Sequence, residues 1–201
     1  QLVSLGLTKA NVLVCDSKGV IYKGRGAAGD DGEKAHWARD TAARTLADAL
    51  VGADVFLGLS GPGVVNQAMV RSMAAKPVVF ALSNPTSKAE CTAEEAYIAT
   101  QGRALFACGS PFDPVVYQGN TLVPRQGNNA YIFPGVGLAA LAGELSTIDD
   151  DLFYAAARAL AACVTSQELS SGLLYPGVPR LREVAQAIAR AVLIAHRTEW
   201  G

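Results

Sequence analysis

Histidine, methionine and tryptophan each occur only twice in 201 residues, and cysteine four times. His36 and His196 stand near charged residues without a partner motif, so they form no triad or metal signature and read as surface residues. Cys15, Cys91, Cys108 and Cys163 are widely scattered, without the close pairing of a zinc or redox motif. Each neighbours apolar or small residues, the setting of a buried free thiol. Charge is also scarce, at 17% of residues with a net of −1 and no basic block. That removes the electrostatic footprint of a nucleic-acid binder. Hydrophobic residues make up half the chain, which excludes disorder. No apolar run reaches membrane-spanning length before Gly, Pro, Asn or charge breaks it. No positive, apolar and small-residue series opens the chain, so no signal peptide is read and a cytoplasmic location is expected, with neither membrane nor nucleic acid as partner. Gln1 is not preceded by Met, and "QLVSLGLTKANVLVCD" reads like the tail of a helix running into a strand. A preceding segment is therefore expected.

Short apolar runs alternate with helical patterns through the first 110 residues or so. Asn11–Asp16, Ala53–Gly61, Pro77–Thr86 and Ala104–Ser110 have the character of strands covered on both faces. Lys34–Leu50, Val64–Ala75 and Thr92–Gln101 have helical spacing, the last with Thr92 and Glu95 as a capping box. This order predicts an α/β fold with a mostly parallel, doubly wound sheet. Past Ser110 the character changes: Gly119-Asn120 suggests a hairpin turn. Helices are then expected from Asn129 to about Glu144, from Asp149 to about Ser166, and from Pro179 to the C-terminus. The whole chain is taken as one domain, with a sheet part over 1–110 and a hairpin with C-terminal helices over 111–201.

Ligands of open α/β sheets bind beyond the carboxyl ends of the strands. Those ends hold Asp16, Gly58 to Gly61 (with Ser60), Asn84, and then Gly109 and Ser110. Asp16 occupies the place of the acid that closes the second strand of a dinucleotide-binding fold and meets the adenosine ribose; a turn or capping acid is the alternative. The glycine fingerprint of such a fold lies about 20 residues earlier. Only Gly6 is found in the fifteen residues before Asp16, so the sheet is expected to lack its first strand here. Gly58 and Ser60 would let a ligand approach the backbone. Pro85 restricts Asn84, whose amide an Asx turn would also explain. Asn128 and Asn129 open a helix that needs one capping amide, which leaves one for a ligand. Lys18 and Lys34 could pair with a 2′-phosphate, or be solvated surface lysines.

"VCDSKGVIYKGR", "FALSNPTSKAECTAEEAY", "FACGSPFDPV" and "QGNNAYIFPGVGLAAL", in that order, resemble the NAD(P)-binding domain of malic enzymes. The resemblance runs from about Asn11 to the final helix. It implies a Rossmann-like fold serving oxidative decarboxylation of L-malate to pyruvate and CO2, with NAD or NADP reduced and Mg or Mn assisting. It further implies that Asp16 meets the adenosine ribose, that Lys34 matches the lysine of NADP-preferring members, and that Asn84 touches malate or nicotinamide. Asn128 and Asn129 would bind malate and the nicotinamide end. The family's tyrosine acid, lysine base, acidic metal ligands and glycine fingerprint lie N-terminal to the matched segment. The isolated chain is therefore expected to be inactive, a part of a longer, homo-oligomeric enzyme. A malolactic-type enzyme and a non-catalytic nucleotide-binding or assembly module are the competing readings.

Overall fold

The computed structural model describes residues 2–26 and 32–199. Four parallel strands form the central sheet: β3 (Val55–Gly58), β4 (Val78–Ala81), β5 (Leu105–Cys108) and β8 (Arg125–Gln126), adjacent in that order. Two small antiparallel ribbons accompany it, β1 (Cys15–Asp16) with β2 (Gly19–Val20) and β6 (Val115–Tyr117) with β7 (Asn120–Leu122). The helices are α1 (Glu33–Trp37), α2 (Leu46–Leu50), α3 (Gln67–Ser72), α4 (Ala93–Ala99), α5 (Phe133–Gly143), α6 (Asp150–Ala162), α7 (Ser166–Ser170) and α8 (Leu181–Glu199). The predicted helix over the last two residues lies outside the described ones.

Side chains alternate across the sheet, and the register sets Phe56, Val79 and Phe106 side by side on one face. With Val70 of α3 and Ala96 and Tyr97 of α4 they build the first core. Thr92 caps α4 through its side chain and Glu95 returns the bond, as the sequence predicts. The opposite face is covered unevenly. Ala107 is buried and Gly172 comes close to Leu105, while Val55 and Leu57 on edge strand β3 are 55% and 51% exposed.

A second core joins α5, α6 and α8 through Val136, Ala139, Leu152, Ala156, Val184, Ile188 and Val192. Gly135 makes the close crossing of α5 on α8 possible. A Cβ there would lie 2.6 Å from Ile188 Cβ and 2.8 Å from the Ala185 carbonyl oxygen, whereas one on Gly137 would meet open space. Gly135→Ala is expected to destabilise the protein by about 2 kcal/mol through overpacking. Gly137→Ala on the same helix should stabilise it by up to about 1 kcal/mol through helix propensity. Urea unfolding midpoints of the two variants check the opposite signs.

Three expectations need correction. Asn11–Asp16 is no strand of the parallel sheet: Lys9–Asn11 form a 3-10 turn and only Cys15–Asp16 pair, with β2. The backbone of this run is committed locally, since the Val14 carbonyl accepts from Ile21 N–H and the Val12 carbonyl from Arg39 Nε. The helix expected over Lys34–Leu50 is two short helices. Arg39 donates its N–H to Ile21 and accepts from Lys23, which pulls the chain out of helix, and the Thr45–Asp48 capping box starts a new one. The hairpin turn is Gln118-Gly119, both at positive φ as a two-residue turn requires, and Asn120 already belongs to β7.

Candidate functional site

Because β3, β4, β5 and β8 run parallel and in register, Gly58, Ala81, Cys108 and Gln126 end together at one edge of the sheet. The residues that follow these ends gather there: Ser60, Asn84, Ser110, Asn128 and Asn129. Neighbouring strands lie about 4.8 Å apart, so the loops after β4 and β8 are separated by only two strand spacings. Hydrogen bonds stitch them. Ser110 Oγ donates to Asn84 Oδ1. Gln126 Nε2 donates to the Gly109 carbonyl at 2.8 Å, and Gly127 N–H to the Cys108 carbonyl at 2.8 Å. Gly109 has no room for a side chain, as a Cβ would sit 2.1 Å from the Leu82 carbonyl oxygen.

The two adjacent asparagines divide their work. Asn128 Oδ1 accepts from Ala130 N–H at 2.8 Å and caps the 3-10 turn Asn129–Tyr131, which leads into α5. Asn129 is exposed, and its carboxamide makes no hydrogen bond among the described residues. An amide left in this state can both donate to and accept from a ligand. Asn84, two strands away in the sheet order, is also exposed, and its bond with Ser110 leaves Nδ2 as a donor.

Asp16 and Lys34 bond each other, from the β1–β2 ribbon, which is separate from the four-stranded sheet, and from α1. Arg25, which sequence reasoning missed, donates to both Asp16 oxygens at 2.7 Å while also binding the Gly19 and Val20 carbonyls. Lys34 Nζ adds a bond to Oδ2 at 2.9 Å, and the Lys18 N–H one to Oδ1 at 2.9 Å. The bonds from Lys34, Arg25 and the Lys18 amide hold the Asp16 carboxyl well below the usual carboxylate range, against the opposing effect of burial. All four acceptor sites of the carboxylate are thus engaged. Arg25 is only 6% exposed and fixed; Lys34 is 54% exposed and is the partner a ligand could displace. One signal for Arg25 was available, a cation nine residues beyond the acid in "DSKGVIYKGR".

The thiols take no part. All four cysteines are free, and burial pushes Cys91 up to about 12 and Cys108 up to about 11. His36 sits edge-on to Trp37 and contacts Lys9.

The profile of the family described as "Malic enzyme, NAD binding domain" matches residues 3–196. The chain belongs to this family. An NADP-dependent malic enzyme of Dictyostelium discoideum is 46% identical over 189 residues, covering 89% of this chain and 34% of that protein. The mitochondrial NADP-dependent malic enzyme of Homo sapiens is 43% identical over 190 residues, covering 90% of this chain and 31% of its own length. The crystal structure of Entamoeba histolytica malic enzyme superposes with a TM-score of 0.80 at 28% identity, over 98% of this chain and 40% of that one. The chain therefore spans about a third of the curated relatives it matches. No described helix is long and apolar enough to cross a membrane.

Proposed function

We propose that this chain supplies the coenzyme- and malate-contacting part of a malic enzyme, which oxidises L-malate with NADP and releases pyruvate and CO2. The observation that carries this reading is the convergence of Ser60, Asn84, Ser110, Asn128 and Asn129 at one end of a parallel sheet, in a chain of this family. Asn129, whose exposed amide has no partner among the described residues, is assigned to the malate carboxylate and the nicotinamide end, and Asn84 to malate through Nδ2. Exposed Ser60 is assigned to the coenzyme; Gly58, expected to let a ligand approach, is buried and leaves its room to the Glu90 side chain instead. When bound, the nicotinamide supplies the hydride acceptor.

The exposed side chains assigned to ligands at this edge are amides and hydroxyls. They orient and desolvate, but none takes a proton from a malate hydroxyl near neutral pH. Among the described residues no group of three or more His, Cys, Asp or Glu could hold a metal ion. These residues therefore do not fit the Mg or Mn of the reaction. The division of labour is binding on this chain and proton transfer elsewhere in the protein, which we place in the cytoplasm as a homo-oligomer.

The coenzyme is proposed to be NADP rather than NAD. Around Asp16 stand two paired cations, so the ribbon carries surplus positive charge, and exposed Lys34 can turn from Asp16 to a 2′-phosphate.

The full-length protein, given L-malate, NADP and Mg or Mn, is expected to form NADPH and pyruvate in equal amounts. The 201-residue chain alone should form neither. Lactate without net NADPH would point to malolactic chemistry, and no malate consumption by the full-length protein would overturn the reading.

A further inference from the structure

One buried acid at the same edge has no part in the reading above. Glu90 is fully buried (0% exposed), between the 3-10 turn Thr86–Lys88 and α4. Its carboxylate accepts from Ser60 N–H at 2.8 Å, from Ser83 N–H at 3.3 Å and from Ser83 Oγ. The main chain adds two more ties, from Val65 N–H to the Glu90 carbonyl and from Gly63 N–H to that of Ala89, both at 3.0 Å. Glu90 thus joins the loop that follows β3 to the loop that follows β4. Glycine at 58 makes the space: a Cβ there would lie 2.7 Å from the carboxyl carbon of Glu90.

Burying a carboxylate is a costly way to clip two loops together. What it provides is two acceptor oxygens and no donor, matched to two N–H groups and a hydroxyl; a carboxamide would turn its NH2 against one of the N–H groups. Burial pushes the Glu90 carboxyl up, and the bonds from Ser83 and Ser60 outweigh that, leaving it below its ordinary value and ionised at neutral pH. Ser83 directly precedes Asn84. The Asn84 side chain is held by Ser110, and the backbone N–H of the preceding Ser83 is held by Glu90.

We propose that Glu90 is a positioning residue that acts through Asn84, fixing the β4 loop against the β3 loop so that the Asn84 carboxamide stands at the malate end of the site. This rests on the assignment of Asn84 to malate made above. Glu90→Gln leaves the shape of the buried side chain but turns an NH2 against one of the two loops.

The test is a double-mutant cycle in the full-length protein. Wild-type malate turnover is measured first; its absence counts against the functional reading rather than against Glu90. Glu90→Gln is expected to lower kcat/KM for malate at least tenfold, carried by a rise in KM, while the dissociation constant of adenosine 2′,5′-bisphosphate changes less than twofold. Introduced on top of Asn84→Ala, the same substitution should cost less than a further twofold. Should Glu90→Gln fail to fold, Ser83→Ala takes its place in the cycle, with an expected loss of at least threefold that Asn84→Ala again absorbs. Turnover within twofold of wild type, or losses that multiply with those of Asn84→Ala, would overturn the proposal.

Discussion

Alanine in place of Asn129 is expected to lower kcat/KM for malate about a hundredfold in the full-length protein, with little change in stability. The reasoning starts from what each of the paired amides already does. Asn128 spends its side-chain oxygen on Ala130 N–H, whereas the Asn129 carboxamide has no partner among the described residues. Removing an exposed carboxamide that makes no hydrogen bond among the described residues costs the fold little. Removing its bond to a charged substrate carboxylate costs about 1.5–3 kcal/mol, which is one to two orders of magnitude in rate. Asn128→Ala should show the converse emphasis, losing about 1 kcal/mol of stability with the cap. Steady-state kinetics and thermal unfolding of the two variants separate these roles. If Asn129→Ala keeps near wild-type kcat/KM, or if it unfolds the protein while Asn128→Ala does not, the assignment fails.

Lys34→Gln should raise the dissociation constant for NADP about thirtyfold and leave that for NAD within about threefold, as loss of one charge-assisted bond to a phosphate predicts. Lys34 is the displaceable partner of Asp16: its side chain is half exposed, while the Arg25 side chain is nearly covered and already bonds both carboxylate oxygens. Asp16 therefore keeps a cation when Lys34 leaves it, and the exchange leaves no bare buried charge behind. NAD, lacking the 2′-phosphate, gains nothing from the lysine. Isothermal titration with both coenzymes, repeated at higher ionic strength, is the measurement. The NADP advantage of the wild type should shrink with salt. Equal losses for the two coenzymes would refute the assignment of Lys34 to the 2′-phosphate.

The parts that could be read from the sequence are those fixed by neighbours along the chain. The Thr92–Glu95 box needs only residues three apart, and β3, β4 and β5 are short apolar runs legible from their own composition. The rule that parallel strands present one common end reached Asn84 and Ser110, whereas Asn128 and Asn129 were singled out as paired amides and by resemblance. Features decided by distant partners were illegible. Lys34–Leu50 has a helical spacing, yet a bond between Arg39 and Ile21 breaks it. Strand β8 is two residues long and exists because β5 lies beside it. Glu90 gave a faint hint, an acid between Ala89 and Cys91, but its donors come from seven and thirty residues away.

Strand β3 closes one side of the parallel sheet with no further strand beside it among the described residues, and it turns Val55 and Leu57 outward. An open rim of this kind, oily and still able to hydrogen-bond, is a template for wrong partners. For a chain emerging from the ribosome, that rim is the surface a chaperone would grip. It also sets a condition on any shortened version made for study: detergent-free solubility would hang on keeping two aliphatic side chains out of each other's reach in neighbouring molecules.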